Sequence, residues 1–256
     1  LNHIPRKRFG QNFLRDEGVI HSIVAAIAPQ PQDHLVEIGP GQGALTWPLL
    51  DYAARLSVVE LDRDLIERLR RHPLGARLDI HSGDALEFDF ASLGNRLRLV
   101  GNLPYNISTP LLFHLANFSA VMQDGHFMLQ KEVVDRLAAA PATPDYSRLS
   151  VMMQYRFWVE ALFTVPPEAF YPAPKVQSAV VRLIPKPREE RQARDEARLE
   201  QLVMKAFGQR RKMLRSTLKG ELPESAWETL GINPERRAET LSLEEFVALA
   251  NYPAST

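Results

Sequence analysis

A chain of 256 residues, 45% hydrophobic and 24% charged, has the balance of a folded globular protein long enough for one large domain and a smaller appendage, which excludes a disordered or fibrous chain. It has no cysteine, which removes disulfides and thiolate nucleophiles, and its seven histidines show no pairing at metal-ligand spacing, so no metal is expected. Formal net charge is zero, yet the cations are unevenly placed: Arg6, Lys7, Arg8 and Arg15 lie near the start, and Lys205, Arg210, Arg211, Lys212, Arg215 and Lys219 form a run with no acid among them.

In chain order, Val19, Ile20, Ile23, Val24 and Ile27 recur at helical spacing and stop at Pro29, which predicts a short amphipathic helix. The period then changes. HLVEIG (34–39), RLSVVELD (55–62), RLDIHSGD (77–84), LRLVGN (97–102) and HFMLQK (126–131) are short strand-like runs separated by segments able to form helices, a pattern that predicts a parallel sheet covered on both faces. VEALFTVP (159–166) and SAVVRLIP (178–185) add two strands at the sheet edge, with the proline-rich AFYPAPKV (169–176) between them. The charged stretch 186–196 reads as a linker merging into a helix, and only helical signals follow. Leu199, Leu202, Val203, Ala206 and Phe207 share a face; Pro223 opens a helix that Gly231 can close; Pro234 opens another; Ser242 and Glu245 form a capping box. The expected division is an α/β domain over 1–185 and a small all-helical domain over 186–256. No apolar run approaches the roughly 18 residues that span a bilayer, and the opening LNHIPRKRFG has no signal-peptide pattern, so a cytoplasmic, membrane-free protein is expected.

The first strand runs into Glu37-Ile-Gly39-Pro-Gly41-Gln-Gly43-Ala44, a loop whose glycines let backbone turn sharply against a ligand at the switch point of an open sheet. Alone it fits either a dinucleotide or another nucleoside cofactor. Glu60 ends the second strand about 20 residues on, where a carboxylate takes both hydroxyls of a ribose; Asp84 ends the third, placed to accept from an adenine amino group. Glu37 beside the loop would repel a pyrophosphate and suits an ammonium and a sulfonium, which favours S-adenosylmethionine over NAD.

The fourth strand delivers Gly101-Asn-Leu-Pro-Tyr105 to the same sheet edge. The exocyclic amine of adenine is a poor nucleophile because its lone pair is conjugated into the ring. Two acceptors at its hydrogens, the Asn102 side-chain oxygen and the Leu103 carbonyl, would localise and aim that pair at an activated methyl group. Pro104 would fix the turn, and Tyr105 would stack on an extruded base for about 1–3 kcal/mol. Phe170 is the candidate for a second aromatic wall, and the run 205–219 suits phosphate contacts that position rather than read RNA.

The stretches RKRFGQNFLRD (6–16), VEIGPGQGALT (36–46), VVELDRDL (58–65), GNLPYNISTPLLFHL (101–115), MLQKEV (128–133), FYPAPKVQSAVVRL (170–183) and AFGQRRKMLRSTL (206–218) together resemble the bacterial small-subunit ribosomal RNA adenine dimethyltransferases, the kasugamycin-sensitivity methyltransferases. The resemblance covers nearly the whole chain. It implies a Rossmann-like class I S-adenosylmethionine-dependent methyltransferase sheet with a helical RNA- or ribosome-binding domain. It also implies dimethylation of two adjacent adenosines in the 3′-terminal hairpin of small-subunit RNA during subunit assembly, with S-adenosylhomocysteine as the second product. Asn12 and Leu14 are implied to contact the cofactor with Gly39, Gly41, Glu60, Asp84 and Asn102; the clustered cations Arg6, Lys7, Arg8, Arg210, Arg211, Lys212 and Arg215 are, by their charge, the candidates to meet the RNA. A monomer acting on the small ribosomal subunit is expected. A large-subunit RNA or DNA adenine methyltransferase, and a silent RNA-binding assembly factor, stay open as alternatives; the QRRKMLR and SAVVRL segments resemble the small-subunit group more closely.

Overall fold

The computed structural model describes residues 12–253, so the candidates Arg6, Lys7 and Arg8 lie outside the described residues. The chain divides into two compact units, one of residues up to Val134 with Val159–Pro185, the other of Asp135–Trp158 with residues from Lys186 onward.

The first unit opens with β1 (Phe13–Leu14) and α1 (Glu17–Ile27), whose N-cap Asp16 accepts from the Val19 amide and whose end is turned by Ala28 in the left-handed region. Then come β2 (His34–Ile38), α2 (Thr46–Leu49), β3 (Leu56–Glu60), α3 (Arg63–Arg71), β4 (Leu78–Ser82), β5 (Leu97–Asn102), α4 (Ser108–Ala116) and β6 (Met122–Gln130). The helices α5 (Lys131–Ala138) and α6 (Arg148–Arg156) precede β7 (Phe157–Val165), β8 (Phe170–Tyr171) and β9 (Ser178–Pro185). Among the described residues these make a seven-stranded sheet of order β4-β3-β2-β5-β6-β9-β7 and a separate pair β1-β8. Neighbours from β4 to β6 are parallel and β9 runs antiparallel to β6. The central strands are buried on both faces, as Leu35, Val36, Val58, Leu99 and Val100 show at 1% exposure or less, which is why they read as continuous apolar runs. The order reverses between β2 and β3 on one side and β2 and β5 on the other, so a crevice opens beyond the carboxyl ends of these strands.

Each expected strand forms. β6 begins four residues before the apolar run, because the buried Asp124 at its polar start is neutralised by Arg98 of β5. Two expectations are corrected. Pro234 opens no α-helix: the Asn233 side chain accepts from the Glu235 amide and its carbonyl from the Arg236 amide, a local turn that replaces helical bonding, and only a 3-10 turn at Ala238–Thr240 lies between it and the helix capped by Ser242. The helical unit also extends beyond 186–256, because residues 135–158 pack with it.

That second unit holds α6 with α7 (Glu196–Phe207), α8 (Leu214–Thr217), α9 (Glu224–Leu230) and α10 (Leu243–Asn251). Tyr146 packs edge-on against Phe207, which leans on Phe246; Tyr155 donates to Glu196 Oε1 at 3.1 Å and Arg156 pairs with Glu196 at 2.8 Å. Leu199, Leu202, Val203 and Ala206 of α7 are buried as their spacing predicts. Gly231 closes α9 with φ 66°, and the Ser242–Glu245 capping box opens α10.

Candidate active site

At the carboxyl ends of β2, β3, β4 and β5 lies a cavity of about 350 Å³. Its wall includes Asn12, Phe13, Leu14, Glu37, Gly39, Gly41, Glu60, Asp84, Asn102, Leu103, Pro104 and Tyr105. The structure thus brings together every cofactor-binding candidate and four of the five catalytic ones.

The glycine loop owes its course to backbone that other residues resist. Gly39 and Gly41 have φ of 66° and 57°, and a Cβ on Gly41 would come within 3.2 Å of the Phe13 ring. Glu60 is pinned against this loop. Its Oε1 accepts from the Leu61 and Asp62 amides, both at 2.9 Å, and its Oε2 from the Gly41 amide at 3.3 Å. Burial pushes its carboxyl above the ordinary range, opposed by these three amides. Asp84 is held through Oδ1, which accepts from the Leu86 amide at 2.9 Å.

Glu37 is more deeply set, 2% exposed, with Thr46 Oγ1 donating to its Oε2 at 2.6 Å. Burial pushes it up to about 8, with the Thr46 hydroxyl opposing and Glu60 adding to the rise. In the protein alone burial thus favours the protonated form of Glu37. A cation brought beside it would reverse that balance. The folded value lies above the ordinary 4.5, so the native state holds a proton that the unfolded chain has lost. The Glu37 contribution is complete below pH 4.5 and declines as pH rises toward 8. Urea melts should accordingly show wild type losing stability relative to Glu37→Gln between about pH 5 and 8; parallel curves for the two would contradict this burial effect.

The NLPY turn continues from the sheet. The Leu103 amide donates to the Met128 carbonyl at 3.1 Å, extending the β5–β6 ladder one residue before Pro104 diverts the chain. Ser108 Oγ and the Ile107 amide both donate to the Pro104 carbonyl, at 2.9 and 3.2 Å, locking the turn onto the start of α4. Gly101 is required just before it, since a Cβ there would lie 2.5 Å from the Ile38 carbonyl oxygen. Asn102 Nδ2 donates to the Asn12 carbonyl at 3.0 Å, which fixes the amide and leaves Oδ1 as its accepting end. The half-buried Tyr105 phenol is hydrogen-bonded to Ser178 Oγ, and burial pushes it up, so the ring is fixed and neutral.

Phe170 is not among the residues lining this cavity as it stands without ligand. It is 4% exposed and packs in the core with Leu14, because β1 pairs with β8 in a register that sets Leu14 opposite Phe170. Sequence reasoning missed Thr46 and Ser178, hydroxyls whose partners are nine and 73 residues away; only the former, one turn past the glycine loop, left a local signal.

The basic run is not acid-free in space. Lys205 pairs with Glu221, Arg210 with Glu239 at 3.5 Å and Arg215 with Glu235 at 3.5 Å. Arg211 and Lys212 are exposed, on the turn between α7 and α8.

The donor set fits S-adenosylmethionine. A buried carboxyl able to ionise beside an ammonium lines the cavity, an amide-held carboxylate ends β3, an aspartate follows β4, and among the described residues none of fixed positive charge lines the wall. Among the described residues there is no cluster able to hold a metal ion. A family profile described as ribosomal RNA adenine dimethylase matches residues 2–255. Proteins named ribosomal RNA small subunit methyltransferase A are similar over nearly all of both chains. That of Chromobacterium violaceum is 60% identical over 251 residues, covering 98% of this chain and 96% of its own; that of Dechloromonas aromatica is 57% identical over 250 residues, covering 98% of each. Among solved structures, a dimethyladenosine transferase from Plasmodium falciparum aligns with a TM-score of 0.80 at 26% identity over 93% of this chain and 95% of its own. The 23S rRNA methyltransferase ErmE aligns with 0.69 at 25% over 93% and 98%. Matched from end to end in sequence and throughout the fold that builds this cavity, the chain belongs to the ribosomal RNA adenine dimethylase family.

Proposed function

We propose that the protein transfers methyl groups from S-adenosylmethionine to the N6 amines of adenosines in small-subunit ribosomal RNA, giving N6,N6-dimethyladenosine. One observation carries the mechanism: Asn102, its amide turned by the Asn12 carbonyl, sits in one cavity wall with Glu37, Glu60 and Asp84. The sulfonium supplies an already activated methyl group, so the chain has to bind, orient and accept. Asn102 Oδ1 and the Leu103 carbonyl accept hydrogen bonds from the amine hydrogens, which draws the nitrogen lone pair out of conjugation and fixes its direction, and the cationic N-methyl product sheds its proton to solvent without a strong base. Tyr105, held by Ser178, offers its face to the extruded base. Glu60 Oε2, with a single long bond to Gly41, is the oxygen free to take ribose hydroxyls, while Gly39, Asn12 and Leu14 close around the cofactor.

The small-subunit assignment is supported by the names of relatives 57–60% identical to this chain, and two adjacent adenosines of the 3′-terminal hairpin are the target that the family resemblance implies. A large-subunit substrate is the second reading, favoured by the likeness to ErmE. The helical unit is read as the part that meets the ribosomal particle, with Arg210, Arg211, Lys212 and Arg215 on phosphates. Arg211 and Lys212 are the best placed of these, because Arg210 and Arg215 already face acids. A monomeric, cytoplasmic enzyme belongs to the same reading; no helix among the described residues is long and apolar enough to cross a membrane. With labelled S-adenosylmethionine, the purified protein should label unmethylated small subunits and yield dimethyladenosine. Label confined to large subunits or DNA would replace the substrate assignment.

A further inference from the structure

The β1–β8 pair carries two unlike faces. Its antiparallel register sets Phe13 opposite Tyr171 and Leu14 opposite Phe170, so each opposed pair shares a face. Leu14 and Phe170 pack in the core cluster, Leu14 also reaching the cavity wall. On the other face, Phe13 lines the cavity against Gly41, while Tyr171 next to it is 55% exposed. The ladder runs one step further, the Arg15 amide donating to the Ala169 carbonyl at 2.8 Å. Two residues past Phe13, Arg15 returns to the same face, and its guanidinium carbon stands 4.3 Å from the centre of the Tyr171 ring. The exposed aromatic is thus clamped by a cation and set one residue pair from the cavity.

We propose that Tyr171 and Arg15 form a stacking platform for the nucleotide that flanks the target adenosine, the ring taking its base and the guanidinium its phosphate. The proposal rests on RNA being the substrate. Once an adenosine is turned into the cavity, its neighbour has lost a stacking partner, and an exposed aromatic face opposite the cavity-lining Phe13 would replace it. The chemistry at this spot suits a nucleotide: a flat π-surface for any base, and a cation for the phosphate joining it to the extruded residue. Packing has no need for this ring, since the adjacent Phe170 fills the core.

The test uses the full chain, S-adenosylmethionine and unmethylated small subunits. Tyr171→Ala should raise KM for the subunit about tenfold, the loss of one stacked base, with the calorimetric affinity for S-adenosylmethionine unmoved, and Tyr171→Trp should restore it. Arg15→Gln should lower the slope of log affinity against log salt by about one phosphate contact. A KM within about twofold of the parent in Tyr171→Ala, no rescue by tryptophan, or a loss of cofactor affinity instead would overturn the platform. Failure of the parent chain itself to label small subunits overturns the substrate reading; the variants then judge the platform on whichever RNA the parent does label, and transfer to no RNA at all removes it.

Discussion

Asn102→Ala should reduce methyl transfer by about 10²–10³-fold or more, the cost of removing one preorganised polar contact from a reacting centre, while binding of S-adenosylmethionine remains measurable. The size of the effect follows from what the side chain does. Adenine N6 reacts only when its lone pair is withdrawn from the ring and pointed at the methyl carbon, and an acceptor fixed in the wall does this without reorganising at the moment of reaction. Fixation is visible: Nδ2 is tied to the Asn12 carbonyl, so Oδ1 cannot exchange places with it. Asn102→Asp sharpens the test. It keeps the shape and an oxygen but loses the donor to Asn12 and sets two oxygens against each other, so it too should be severely impaired. Single-turnover rates separate this from weakened cofactor binding. Normal turnover by Asn102→Ala would show that Asn102 is not the acceptor that aims the amine.

Tyr105 and Phe170 show how much of this site could be read before the structure. Tyr105 is flanked by a proline and an amide inside an apolar sequence, and local chemistry alone marks it as held in a turn. Phe170 has the same local credentials, but its orientation depends on the register of a two-residue strand against β1, which lies about 157 positions earlier in the chain and leaves no local mark. The sheet was legible because each central strand is buried on both faces and bounded by turn residues. The start of β6 was not, since Gln123-Asp124-Gly125 is polar and its burial is licensed by Arg98 on the neighbouring strand. For the same reason the basic run looked unopposed: its acids, Glu221, Glu235 and Glu239, come from elements beyond it. Asn12 and Leu14 entered through family resemblance, and their place in the cavity wall has no signature in composition or period.

Arg98 is the second position where a large effect is expected, and here on stability. Its Nε and Nη2 hold Asp124 at 3.0 and 2.8 Å, its Nη1 holds Asp33 at 2.6 Å, and Nη2 also donates to the Ile27 carbonyl at 2.6 Å. One guanidinium therefore joins β5, β6, the loop before β2 and the carbonyl end of α1, and all three charged side chains are 8% exposed or less. His126, 3.9 Å from Asp124, supplies no second cation near neutral pH, because burial pushes it down to about 4. Arg98→Met should cost about 3–5 kcal/mol, since it strands two carboxylates in low dielectric, a large share of the roughly 5–15 kcal/mol of a whole domain. Replacing a carboxylate as well, in Arg98→Met with Asp124→Leu, should recover part of that loss, a coupling that a double-mutant cycle in urea reads directly. Activity of the folded fraction should survive, because Arg98 stands four residues, about 13 Å along the strand, from Asn102. A cost below about 1 kcal/mol would place the cluster with ordinary surface ion pairs and remove its role in anchoring α1 beneath the strands whose far ends form the cavity.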